Sequence, residues 1–363
     1  MSLERIHSIN ASPVTYSKDQ YKFVVSHLEL AAPHCFMSFS TLEKDISYIL
    51  GLAHIIRRIL ENISRTGHSF KWKKNRYAEF RIFFKDHDSA CQTVSLWKNT
   101  NWNDLEKRDY LFLSQSFQKK LWKLYYDLPS TYRDIIQYWL LQMVEGKVSF
   151  GSPTSKRVIH YNDLKIIKNY TEYNQHCYYT SGTILNLLID ICAHYYPMDP
   201  TSYSRCQQHI TSFANTIQKT HLLTIFPLDR KRGLCFFPYE KMVHYHYDPT
   251  VNWNNDDNFN SVQNDENWKK HILENLNNDF ALAPLFIKAI PPQLTGLRGL
   301  CLFEYLQAIK KADNIRKHKN RLFTSSTFTI SRIHLFSCSR KARKLAKAST
   351  NLDQFFMDKT SIF

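Results

Sequence analysis

Between Ile46 and Ile63 the apolar side chains Ile46, Ile49, Leu50, Ala53, Ile56, Leu60 and Ile63 recur at three- and four-residue steps. That spacing lines one stripe of a long helix and commits the stripe to a core. The same period returns over Leu121–Leu128 and, after the Pro129-Ser130 break, at Ile135, Ile136, Trp139, Leu140 and Met143. Ile184–Ile191, Ile210–Leu223 and Leu300–Ile309 repeat it, each long enough to pack as a core helix. With only 8 Gly and 12 Pro in 363 residues, tight turns are too scarce for a many-stranded sheet. The predicted class is all-α.

A core of that size needs material, and the chain supplies it. Hydrophobic residues make up 43% and aromatics 14%, which excludes wholesale disorder. The segment Asp248–Asn267, rich in Asn and Asp and without period, predicts an exposed loop between helices. Thr324–Ile330 alternates β-branched and polar residues and reads equally as a short strand or a connecting loop. The longest apolar runs, Ile184–Cys192 and Ala281–Ile290, fall short of the ~20 residues of a spanning helix. Met1–Arg5 shows no basic stretch followed by an apolar run, so a cytoplasmic location is expected. The 8 cysteines include no CxxC pair and sit mostly among apolar neighbours, which predicts reduced core thiols rather than disulfides or a zinc site.

Charge narrows the partners. Lys and Arg number 48 against 32 Asp and Glu, a net +16, which fits nucleic acid, a membrane surface or a phosphorylated substrate. The cations peak at Lys310–Arg321 and Arg340–Lys347. The run Ser339–Ala348 puts five of them on a short helical stretch, enough for peripheral attraction to anionic lipid at ~1 kcal/mol per cation; a solvated C-terminal helix is the competing reading. Nucleic acid ranks third, because no zinc-finger or RNP element accompanies the charge. His244-x-His246-x-Asp248 could converge on one metal only in an extended segment with a further ligand, so loop histidines are the simpler reading.

Five stretches, in order, resemble motifs of the squalene/phytoene synthase family. Pro33–Arg65 resembles its Ser-Arg-Ser-Phe element and the helix ending in Asp-Thr-Ile-Glu-Asp. Leu128–Gly146 resembles Leu-Pro-x-x-Tyr-Arg followed by Met-x-x-Gly. His176–Gly182 resembles Tyr-Cys-x-Tyr-Val-Ala-Gly, and Ile217–Glu240 resembles the second acid-rich helix with the Gly-Arg-x-Tyr-x-Pro turn. Leu297–Ala308 resembles the family's late helix. Together they cover roughly residues 20–335. The resemblance implies one isoprenoid-synthase helical bundle around an apolar pocket, preceded by an extension over residues 1–19, interrupted by the Asn-rich loop 248–267 and followed by a basic tail over 336–363.

In that family two acid-rich helices hold Mg²⁺ against a prenyl diphosphate. A hard cation of this kind needs several oxygen ligands, so the carboxylates are what must be counted. Here the first motif reads Glu61-Asn62-Ile63-Ser64-Arg65, which keeps one acid and ends in a cation. The second keeps only Asp229, with His221, Thr224, Ile225 and Leu228 at the other positions. His34 stands at the Arg of the first element, His176 at the pocket Tyr and Phe236 at the late Tyr, while Arg58, Tyr179, Gly182, Gln218 and Gly233 are kept.

The resemblance therefore implies an isoprenoid-binding protein with largely lost Mg-diphosphate motifs, non-catalytic or altered in chemistry. Glu61 and Asp229 are the remaining metal candidates, so Mg²⁺ is expected to be weak at best. His34, Arg57, Arg58, Arg65, Gln218, His221, Arg230 and Arg232 are expected at the diphosphate of a prenyl or other phosphorylated lipid, where guanidinium groups grip phosphate without metal. His176 and Tyr179 are the catalytic candidates, with His34 and His176 as an acid–base pair or simple pocket fillers. The alternative is an active head-to-head prenyltransferase, which would use NADPH only if squalene-type chemistry is kept.

Overall fold

Ser17 opens the first helix, α1 (Lys18–Ala31): its hydroxyl caps Gln20 N–H while the Gln20 side chain caps the Ser17 N–H. The computed structural model describes residues 14–32, 36–37, 39, 41–161, 163–196, 198–245, 266–322 and 327–360. They divide into two compact units, residues 1–153 with 186–199, and residues 154–185 with 200–363.

The first unit is built on α2 (Lys44–Arg65), in which every stripe residue from Ile46 to Ile63 is buried. Around it lie α1, α3 (Phe70–Ile82), α4 (His87–Trp97), α5 (Lys107–Leu113), α6 (Gln115–Tyr126), α7 (Ser130–Gly151) and the later part of α9 (Thr183–Tyr195). Aromatic side chains fill much of this core. Phe83 stacks on Trp122 at 4.5 Å and meets Trp97 edge-on at 4.9 Å. Helix α1 crosses α2 at Gly51, where an added Cβ would stand 2.5 Å from Val24 Cγ1.

In the second unit α8 (Tyr170–Cys177) runs through a π-helical turn (Tyr178–Gly182) into the start of α9. The 32-residue α10 (Pro200–Lys231) carries Pro227 within it and packs on α12 (Glu266–Ala289), which carries Pro284. Between them Lys219 Nζ donates to Asp279 Oδ2 at 2.7 Å and to Asn275 at 2.9 Å, so this buried cation is paired. Further on come α11 (Tyr239–His244), α13 (Thr295–Lys317), α14 (Arg332–Lys347) and α15 (Ser349–Thr360).

Sequence periodicity did not reveal the small sheet found among the described residues. Strands β1 (Val158–Tyr161) and β2 (Leu164–Ile167) form an antiparallel hairpin, and β3 (Leu234–Cys235) joins β2 in parallel. Gly233 leads into β3 at φ +71°, with Asp163 carbonyl oxygen 2.8 Å from where a Cβ would sit, so both conformation and space call for glycine.

Other expectations shift in detail. Glu266 and Asn267, placed in the Asn-rich loop, already begin α12, because Trp268, Ile272 and Leu276 form a buried helical stripe from there on; residues 248–265 lie outside the described ones. Of Thr324–Ile330, residues 327–330 are described and form no strand. The basic run at the C-terminus belongs to α14, whose Ser339, Ala342, Leu345 and Ala346 are buried, so only its outer half is solvated. Cys91, Cys177, Cys192, Cys206, Cys235, Cys301 and Cys338 are free thiols, and burial pushes Cys177 and Cys235 up to about 12, far from the reactive thiolate range. Cys35 lies outside the described residues. Among the described residues no helix is long and apolar enough to cross a membrane.

The Gly51 crossing yields a direct test. Gly51→Val puts branched carbon against the stiff Val24 side chain and is expected to destabilise the protein by about 1–3 kcal/mol, despite its better helix propensity. Urea unfolding monitored by circular dichroism measures it.

Candidate functional site: a cationic helix end

The last two turns of α2 carry Arg57, Arg58, Glu61 and Arg65 on adjoining faces, as steps of three and four residues dictate. Glu61 is gripped by Arg57 at 2.6 Å and approached by Arg58 at 3.8 Å. Arg58 points its guanidinium at α5, giving Nε and Nη2 to Asp109 Oδ1 at 2.8 and 2.5 Å. Arg65 lies 3.8 Å from the other Asp109 oxygen, and Asn62 donates to the Asp109 carbonyl at 3.4 Å. Asp109 is 1% exposed and Arg58 7%, so this pair is removed from water. Breaking it would strand a buried charge, whereas the partly exposed Arg65 (34%) keeps its reach to solvent.

Two lysines complete the cluster. Lys73 on α3 donates to Ser64 carbonyl oxygen at 3.0 Å. Lys147 on α7 sits in the field of Glu61, Arg57, Arg65 and Lys73; burial lowers it to about 8, with Glu61 working in the opposite direction. Burial by itself would raise the Glu61 carboxyl, but Arg57, Lys147, Arg65 and Arg58 together outweigh it and hold the group down at about 2. Arg57, Arg58, Arg65, Lys73 and Lys147 thus face two carboxylates, Glu61 and Asp109. Arg57 Nε is buried and has no acceptor among the described residues. Cations outnumber carboxylates among these described residues.

This donor set does not fit Mg²⁺. Glu61 is spent on Arg57 and Asp109 on Arg58, and a divalent ion there would meet guanidinium groups at first hand. Two further acids of this unit are engaged as well. Asp45 accepts from Tyr16 at 2.6 Å and Tyr195 at 3.4 Å, and Asp190 from Trp139 Nε1 at 2.7 Å. Among the described residues no group of three or more His, Cys, Asp or Glu side chains is placed to hold a metal ion.

The second unit positions the remaining candidates. Ser181, in the π-helical turn, donates to Gln218 Oε1 on α10 at 2.8 Å, and Tyr179 carbonyl oxygen in the same turn accepts from Thr183. A Cβ on Gly182 would fall 2.7 Å from the Tyr178 ring, which accounts for the glycine closing this turn. His176 stacks on Phe236 at 4.4 Å. The two positions where aromatic residues of the family pattern are replaced therefore face each other, one ring fitted to the other. His221 carbonyl oxygen accepts from Thr224 at 2.6 Å. Asp229 is buried near the end of α10, where its carbonyl takes Arg232 N–H and that of Arg230 takes Gly233 N–H, closing the chain into β3; the Arg232 side chain is exposed. His34 lies outside the described residues. So do His246 and Asp248, leaving His244 at the end of α11 against Tyr245.

Asp109 and Lys147 were not singled out in the sequence. Asp109 stands 51 residues from Arg58, in a polar stretch with no motif, and only the packing of α5 on α2 couples them. Lys147 had a signal: it directly follows the Gly146 that ends the second resembling stretch.

With the geometry in hand, comparison with known proteins assigns the scaffold. The sequence profile of the family described as "Squalene/phytoene synthase" matches residues 101–334, more than half of the chain. The chain belongs to this family. A ligand complex of TcSQS superposes with a TM-score of 0.70 at 14% identity, over 95% of this chain and 92% of that one. A second TcSQS complex gives 0.65 at 14%, over 95% and 98%, and a dehydrosqualene synthase gives 0.58 at 12%, over 91% and 98%. Identities this low speak for the fold, which is the all-α isoprenoid-synthase bundle. No curated protein sequence matches the chain.

The buried pair offers a stability test. Asp109→Asn leaves Arg58 charged and poorly compensated and is expected to cost about 3–5 kcal/mol. Arg58→Met in the same background should recover a large part of that loss, as read by the denaturation midpoint of each variant.

Proposed function

We propose that this squalene/phytoene synthase family member binds a prenyl diphosphate, or a phosphorylated lipid of like headgroup, through guanidinium and ammonium groups rather than through Mg²⁺. The observation that carries the reading is the charge imbalance at the end of α2. Glu61 is already gripped by Arg57, yet Arg57 Nε is buried without an acceptor among the described residues, and Lys73 and Lys147 add further positive charge beside it. Phosphate oxygens are the natural complement, because a guanidinium presents two parallel N–H groups at the spacing of two phosphate oxygens. Arg58 acts by position: held by Asp109, it fixes the last turns of α2 and lets Arg57 and Arg65 stand at defined places.

The same arrangement argues against ordinary turnover. Ionising an allylic diphosphate requires concentrated positive charge that follows the leaving group, and a metal cluster supplies it. Here the cations are partly cancelled by Glu61 and Asp109, so a ligand is held without being pulled apart. The protein then serves as a binding or carrier form of the fold, or one with altered chemistry.

Titration calorimetry with farnesyl diphosphate in EDTA tests this. Micromolar binding without metal is expected, weakened about ten-fold or more by Arg57→Gln with Arg65→Gln, since each charged hydrogen bond contributes about 1.5–3 kcal/mol. Lys147 adds a pH signature. Only its protonated form attracts an anion, and it loses the proton near pH 8, so affinity should fall from pH 7 to pH 9. Lys147→Met should flatten that slope. Absence of heat at high micromolar ligand would count against the reading. So would a C30 or C40 hydrocarbon formed with Mg²⁺ and NADPH faster by the wild type than by Glu61→Ala.

A further inference from the structure

Helix α14 has two unlike long faces. Ser339, Ala342, Leu345 and Ala346 pack inward, with α13 as the principal neighbour. The opposite stripe, at steps of three and four residues, reads Ile333, Phe336, Arg340, Lys344, Lys347. Its first two members are large apolar side chains left in water, Ile333 80% and Phe336 69% exposed. Its last three are exposed cations that enter no ion pair among the described residues. The helix has no Asp or Glu at all, and Arg332, Lys341 and Arg343 add to its charge.

From this stripe we infer that the outer face of α14 lies on an anionic lipid surface, with Ile333 and Phe336 inserted among acyl chains and Arg340, Lys344 and Lys347 against the headgroups. Solvation does not explain Ile333 and Phe336, because a helix meant only for water gains nothing from two neighbouring large apolar groups at its outermost line. A second copy of the chain is a poor occupant, since pairing two such faces would oppose three cations with three. Nucleic acid would use the cations yet leave the apolar end unburied. An anionic bilayer interface satisfies both ends at once: apolar insertion and charge attraction act together, the latter contributing roughly five-fold in affinity per cation. The face is independent of the cluster at the end of α2, which belongs to the other unit.

Vesicle co-sedimentation of the full chain provides the test. Vesicles of phosphatidylcholine with one-third phosphatidylserine should bind the protein about ten-fold or more tightly than pure phosphatidylcholine, and added salt should weaken the binding. The double variant Ile333→Ser with Phe336→Ser should lose about ten-fold in affinity at unchanged thermal stability. The triple variant Arg340→Gln, Lys344→Gln, Lys347→Gln should lose the preference for anionic vesicles while keeping weak binding to neutral ones. Equal binding to both vesicle types, or indifference to both variants, overturns the inference. So does a result in which the same variants abolish self-association in sedimentation velocity, or binding to a single-stranded oligonucleotide, while vesicles are not bound. Arg57→Gln with Arg65→Gln should leave vesicle binding unchanged, which separates this result from the fate of the diphosphate reading.

Discussion

A single buried ion pair, Arg58 with Asp109, sets the terms for the rest of the first unit. Taking both groups out of water is worthwhile only because two hydrogen bonds from one guanidinium converge on one carboxylate oxygen. That convergence ties α5 to the end of α2 and withdraws Asp109 from any other use. Glu61, one turn on, is in turn absorbed by Arg57. The two carboxylates at this helix end, Glu61 and Asp109, are thus engaged by arginines of the protein itself.

The second unit handles charge by the same logic. Lys219 is buried between α10 and α12 and survives there because Asp279 and Asn275 satisfy it while the faces of Tyr170 and Tyr173 lie 6.0 and 5.2 Å away. Burial raises the Asp279 carboxyl, and the Lys219 ammonium beside it opposes part of that rise. Both units therefore keep a helical scaffold through apolar packing and local pairing, which is how the fold persists at 12–14% identity to solved relatives. The chemistry of the exposed ends is free to change while the packed stripes are not.

What the sequence made legible follows the same division. The stripe from Ile46 to Ile63 predicts α2 nearly residue for residue, because burial demands an uninterrupted period. The resemblance places Arg65 and Leu228, side chains that do not ligate a cation, at two acidic positions of the family pattern. The hairpin at Val158–Ile167 was illegible: four-residue strands are too short to show a period, and β3 joins them from far along the chain. Asp109 was invisible for a related reason, as its role is created by an approach between helices and not by its neighbours in sequence. The stacking of His176 on Phe236 shows a middle case, in which each departure was seen and their meeting was not.

The most direct test of metal-free recognition is a crystal structure of the protein with a farnesyl thiodiphosphate, grown in excess Mn²⁺, with data collected at a wavelength sensitive to manganese. The reading predicts phosphate oxygens within hydrogen-bond distance of Arg57, Arg65 or Lys147 and no anomalous peak beside them. Manganese bridging the diphosphate to Glu61 would contradict it.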